Sequence, residues 1–234
     1  GGCMKLENDR KKERTGVVSR FLSHALCGVL VILAFCIAYG GFTQKKIADS
    51  IVRLHIIANS DNAEDQDLKL KVRDAIIAHM QEKYPGGASR DEAEEYLKNN
   101  LGEIRMVAES VLRDNGSGSE VAVRYGEFPF PTRTYDDITL PAGVYKSVRV
   151  ELGEAKGQNW WCVMFPPLCV ADDNTMRMSQ ESREQLKATL GEEGYRLITD
   201  VSDANNKEVQ VRFRIVEWVQ NSRLKLAELI SSLF

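Results

Sequence analysis

A chain of 234 residues with 43% hydrophobic and 28% charged residues can bury a real core, which excludes a wholly disordered polymer. Its 31 Lys and Arg against 34 Asp and Glu give a formal net charge of −3, without the basic surplus of a general nucleic-acid binder, so no nucleic-acid partner is expected. The charge is unevenly spread: residues 1–20 carry six basic and three acidic residues, 21–42 carry none, and 43–234 carry 25 basic and 31 acidic.

That order of basic head, uncharged run and acidic body is the pattern of an exported or membrane-anchored protein. The run Phe21 to Phe42 has no polar stripe, and as a helix it would be about 33 Å long, enough to cross a hydrocarbon core. The basic flank places the head, 1–20, in the cytoplasm and the body outside. Ala38 and Gly40 sit where a signal peptidase would want small residues, yet the run is long for a signal peptide. Both a retained anchor and release near Gly40 fit. Cys36 follows Phe35 and Cys27 follows Leu26, so neither resembles a lipoprotein cysteine.

Residues 43–50 read as a short polar stalk leading to an exported domain, 51–234. Residues 51–57 are β-branched and apolar and predict a strand, followed by the turn-forming cluster 58–62. Asp61 with Glu64 predicts a helix cap, after which Leu68, Val72, Ala75, Ile76 and Met80 form one apolar face, with Lys69, Lys71, Arg73 and Asp74 on the wet side. Tyr84-Pro85-Gly86-Gly87 ends that helix. Ser89 and Glu92 form a capping box for a second helix, whose stripe runs from Ala93 to Leu112 and stops at 114–118. The two make a helical hairpin.

Alternation over 121–125 and 144–152 predicts strands, with an irregular proline-interrupted stretch at 128–131 and a hairpin loop at 153–158 before a continuous apolar strand, 160–165. A short helix is expected at 179–190. The stretch 172–207 reads as mobile, 208–215 as a period-two strand, and 218–233 as a helix. The predicted fold is α+β, a largely antiparallel or mixed sheet packed against a helical hairpin and preceded by one N-terminal transmembrane or signal helix.

Chemistry is sparse in this sequence. The body has two histidines, His55 and His79, at spacings that do not define a zinc site, and no phosphate-loop, nucleophile-elbow or zincin motif occurs. Carboxylates are plentiful enough for chance pairs. No catalytic residue, metal or cofactor is expected. Cys162 and Cys169 are the body's two cysteines, and in an oxidising compartment a structural disulfide between them is preferred over a thiol nucleophile, contributing about 2–3 kcal/mol. The segment Asn159 to Cys169 holds two of the three tryptophans. Adjacent residues of a strand face opposite ways, so one of Trp160 and Trp161 can enter the core while the other meets a partner.

Arg53-Leu54-His55-Ile56-Ile57-Ala58-Asn59-Ser60-Asp61, then Gln66 to Ala75, Phe130-Pro131-Thr132-Arg133, Leu140-Pro141-Ala142-Gly143-Val144-Tyr145 and the tryptophan–cysteine block resemble, in order, the signatures of the stage II sporulation protein R family. The resemblance covers roughly 50–170. It implies a signalling protein without catalysis of its own, exported from the forespore into the intermembrane space. There it triggers a membrane-embedded aspartic protease that removes the pro-sequence of the sigma-E precursor. Asn59, Ser60, Asp61, Trp160 and Trp161 are the expected contact residues. A cell-wall hydrolase or a wall-binding module in the same space is the competing expectation.

Overall fold

The computed structural model describes residues 2–83, 89–167, 180–203 and 206–231. Helix α1 (Gly2–Ser50) leads, with one residue between, into β1 (Val52–Ile57). Then follow α2 (Ala63–Lys83), α3 (Arg90–Asn99), α4 (Leu101–Asp114), β2 (Val121–Phe130), β3 (Arg133–Tyr135), β4 (Ile138–Leu140), β5 (Gly143–Leu152) and β6 (Asn159–Phe165). A long helix α5 (Gln180–Thr199), kinked at Gly191, a short 3-10 turn (Asp200–Ser202) and α6 (Lys207–Ser231) complete it. The fold is α+β with a mixed four-stranded sheet in the order β2-β5-β1-β6, and β3 and β4 form a separate hairpin.

All six residues of β1 are buried because helices or side chains cover both of its faces, which is why its apolar pattern does not alternate. Val52, Leu54 and Ile56 join Val148 and Val150 against Leu68, Val72 and Ile76 of α2 and Ile104, Ala108 and Leu112 of α4. The other face packs Tyr145 and Val163 against Ile47 and Ile51, the β3–β4 hairpin, and Leu186 and Leu190 of α5 with Phe213 and Val216 of α6. The expected helical hairpin therefore covers one face, and the chain's two ends cover the other.

Several local expectations are corrected. Asn62, not Asp61, caps α2: its Oδ1 accepts from the Asp65 N–H at 2.7 Å. Lys69 is buried and donates to the Gln158 carbonyl at 3.2 Å, so it is not on the wet side. The Ser89–Glu92 capping box forms as expected. The helix beyond it is two helices, because Asn100 leaves helical geometry (φ −115°, ψ 19°), with both its backbone N–H and its side-chain amide on the Tyr96 carbonyl. β2 runs straight through Pro129, which an edge strand tolerates.

Larger differences concern the ends. Residues 43–50, expected as a stalk, are the last turns of α1, and Gln44, Ile47, Ala48 and Ser50 are buried. Gln44 donates to the Val144 carbonyl at 3.1 Å. Within the stretch expected to be mobile, 180–199 form α5. The strand expected at 208–215 is the first half of α6: Val209, Phe213, Val216 and Val219 are buried at helical spacing while Val211 is exposed. Both periods were present in that stretch, and burial of the larger set at about 1.5–3 kcal/mol per side chain favours the helix. Tyr84-Pro85-Gly86-Gly87 and Cys169 lie outside the described residues.

Candidate functional site

β5 is parallel to β1 and β6 antiparallel to it, so the 153–158 connection does not join neighbouring strands as a hairpin would. It crosses the C-terminal end of β1. The turn after β1 is built to receive it. The Gly157 N–H donates to the Ala58 carbonyl at 2.9 Å and that of Lys156 to the Asn59 carbonyl at 3.1 Å, while Asn59 Oδ1 accepts from the Glu154 N–H at 2.9 Å. Gly153 has φ 56°, and a Cβ there would run into the Asn59 side chain, as one at Gly157 would run into the Ser60 carbonyl.

Asn59 Nδ2 and Ser60 Oγ both donate to Asp65 Oδ2, at 2.9 and 2.6 Å, and these bonds hold the Asp65 carboxyl below its ordinary pKa. Asn59 and Ser60 are thus occupied in joining β1, α2 and the crossing loop. Asp61 is the exposed member of the three.

Trp160 and Trp161 face opposite sides of the sheet. Trp160 packs on the α2 side, with the Arg73 guanidinium 4.4 Å from its ring centre. Trp161 lies on the other face, stacked on His55 at 3.8 Å and 19° and 4.6 Å from Phe130. Cys162 is buried on the Trp160 side.

Register then gathers residues from four strands. His55 is opposite Trp161 on β6 and Arg149 on β5, and Arg149 is opposite Arg124 on β2. Directly paired residues point the same way, so Arg124, Arg149, His55 and Trp161 form one row across the sheet, on the face away from α2 and α4. Two arginines side by side would repel, and Glu151 binds both, at 2.8 Å to Arg149. Arg149 also lies over Phe128 at 5.2 Å. Arg124 is 60% exposed, and Trp161 and Arg149 are half-buried. The row is a rigid, cationic and aromatic strip. A cross-strand row depends on long-range register, so the sequence reading found Trp161 but neither arginine.

His55 is nearly enclosed, its Nε2 2.7 Å from Asn159 Oδ1. Burial pushes its pKa down to about 4, against the pull of the Asn159 contact. Since an unfolded histidine titrates near 6.5, the unfolded chain binds the extra proton between those values. The stability held at pH 7 should therefore fall by up to about 3 kcal/mol as pH drops through 6.5 towards 4, and flatten below. Denaturant midpoints of the detergent-solubilised chain at pH 7, 5 and 4 check this. His55→Gln should remove most of the slope in that window, and an unchanged slope would assign it to carboxylates.

Among the described residues no three His, Cys, Asp or Glu side chains gather as a metal site. The family model described as stage II sporulation protein R (spore_II_R) matches residues 48–175. The stage II sporulation protein R of Bacillus subtilis (strain 168) is 31% identical over 184 residues, covering 75% of this chain and 82% of its own length. The chain belongs to the stage II sporulation protein R family. No solved structure matches it. The matched stretch takes in the last turn of α1, the whole sheet with its row of side chains, and α2 to α4. α5 and α6 lie beyond it. Its role is that of a sporulation protein of this family, and its long apolar N-terminal helix fits a signal or membrane anchor.

Proposed function

We propose that this protein is an exported signal of endospore formation that passes from the forespore into the intermembrane space. There it activates a membrane-embedded aspartic protease, which then processes the sigma-E precursor. It acts by contact and transforms no substrate itself. The observation that carries this reading is the Arg124–Arg149–His55–Trp161 row, whose Arg124, Arg149 and Trp161 reach the surface of a sheet that follows the apolar N-terminal helix after a single residue. Aromatic and arginine side chains on a rigid support are the usual anchors of a protein contact. Differential binding to two states of the protease suffices to shift it. Reconstitution of this protein with the protease and the precursor in one membrane tests the proposal. Cleavage that depends on this protein is the expected result. Wall solubilisation or wall binding without cleavage would instead support a hydrolase or a wall-binding module.

Two details belong to the same reading. Cys162 pairs with Cys169, so alkylation of the exported chain should leave both protected until reduction. The anchor is retained: Gly40 is buried inside α1, a Cβ there would stand 3.0 Å from the Val219 side chain, and Gln220 donates to the Gly40 carbonyl at 3.3 Å. The smallness of Gly40 thus serves helix packing, and buried helix is a poor site for a protease. The mass of the chain from sporulating cells should include the apolar run 21–42, and a product beginning at Gly41 would refute retention.

A further inference from the structure

α6 has two apolar faces. One fills the core. The other is turned outward, where Val211 is 59% exposed, Trp218 52%, Leu226 60% and Leu229 61%. At 3.6 residues per turn these four positions fall on a single stripe, opposite buried Val209, Phe213 and Gln220. An exposed apolar stripe of this length marks an interaction surface.

The neighbour of that stripe says what covers it. Val211 and Trp218 share an open groove of about 560 Å³ with Val29, Ile32 and Cys36 of α1. Those α1 residues lie within the uncharged run 21–42, inside the span long and apolar enough to cross a membrane; Val29 and Ile32 are exposed and Cys36 is half-buried. One wall of the groove is therefore a surface made for acyl chains, and the α6 stripe continues it. Arg214, Arg223 and Lys225 are exposed on the same helix, where long side chains can reach headgroups while Trp218 sits at the boundary.

We propose that α6 is a second membrane element, lying lengthwise in the outer leaflet beside α1 with its 211–229 stripe against lipid acyl chains. The body is then held to the bilayer along a line rather than at one point. The proposal rests on α1 spanning the membrane, as the proposed function does.

The test uses the full chain at one copy per phosphatidylcholine–phosphatidylglycerol nanodisc, with and without brominated acyl chains, which quench tryptophan in contact with them. Trp218 is expected to supply the quenching: Trp218→Phe should lose more than half of it, while Trp160→Phe and Trp161→Phe keep it. As a second readout, Leu226→Cys with Cys3, Cys27 and Cys36 replaced by Ser, labelled with a polarity-sensitive dye, should emit at a lipid-like wavelength. Equal quenching in parent and Trp218→Phe chains, or water-like emission at position 226, overturns the proposal. So does loss of quenching in discs holding two copies that crosslink through Val211→Cys, which would make a second copy the occupant. Failure of the chain to enter discs at all would instead refute the membrane span of α1.

Discussion

Arg53→Ala is expected to unfold the domain, whereas Arg53→Met is expected to leave it folded. Arg53 is fully buried on β1, on the sheet face that carries Tyr145 and Val163. Its Nη2 donates to the Tyr135 hydroxyl, its Nε to the Cys162 carbonyl at 3.3 Å, and its guanidinium lies 4.1 Å from the centre of Phe130 and 5.0 Å from that of Tyr145. Burial pushes its pKa down from the ordinary arginine value, while the two tyrosines act in the opposite sense. The aromatic box thus holds the cation through ring faces and oxygen atoms. Truncation to alanine empties a large volume and strips the rings of their contact, at a cost of about 4–5 kcal/mol, comparable to the whole stability of many domains. Methionine refills the space without a buried charge, an exchange that is often neutral. Denaturant unfolding of the solubilised chain, followed by near-ultraviolet circular dichroism, measures both. A cost under about 1 kcal/mol for Arg53→Ala would deny the residue its packing role. An equal cost for Arg53→Met would show that the charge itself is required.

The same residue shows where sequence reading ends. A polar Arg and His inside an apolar hexad are visible at once, and so are the strand and the turn that follows, because β-branching and turn chemistry are local. What these side chains face is set by register: Arg53 meets Ser147 and Val163, from β5 and β6, only because the chain returns on both sides of β1. The crossing loop was legible as a loop. Its purpose was not, because Gly153 and Gly157 are explained by Asn59 and Ser60, almost a hundred residues earlier. Asn59 and Ser60, expected as contacts, are tied into that crossing. The capping box at Ser89 was legible for the opposite reason, since everything it needs lies within four residues.

The helical ends were harder. A stretch such as 208–215 supports two periods, and the core selects between them. Likewise nothing local tells a polar stalk from a helix end that packs one stripe. Ile47 and Ile51, four apart, were that stripe. The functional consequence is rigidity. With Ile51 alone between α1 and β1, and both neighbours buried, a turn of α1 about its axis must carry the sheet and its Arg124–Trp161 row with it.

On that basis Trp161→Ala is expected to lower sigma-precursor cleavage at least about 30-fold while the chain still accumulates, as removal of an interface anchor worth 2 kcal/mol or more would do. Trp161 is half-buried and rests on His55, so truncation loses one stacked face and costs the fold about 1–2 kcal/mol, less than a fully enclosed tryptophan would. Trp160→Ala is the matched comparison. Its ring packs towards α2 under Arg73, so its loss should reduce folded protein, with cleavage falling in proportion to abundance. Arg124→Ala, at the exposed end of the row, should weaken activation several-fold and make it less sensitive to salt, since rim charges act mainly on encounter. Cleavage in a reporter strain, normalised to chain abundance on an immunoblot, separates the three. A Trp161→Ala chain that accumulates normally and supports full cleavage would remove this face of the sheet from the contact and leave Asp61, exposed at the turn beyond β1, as the residue to examine next.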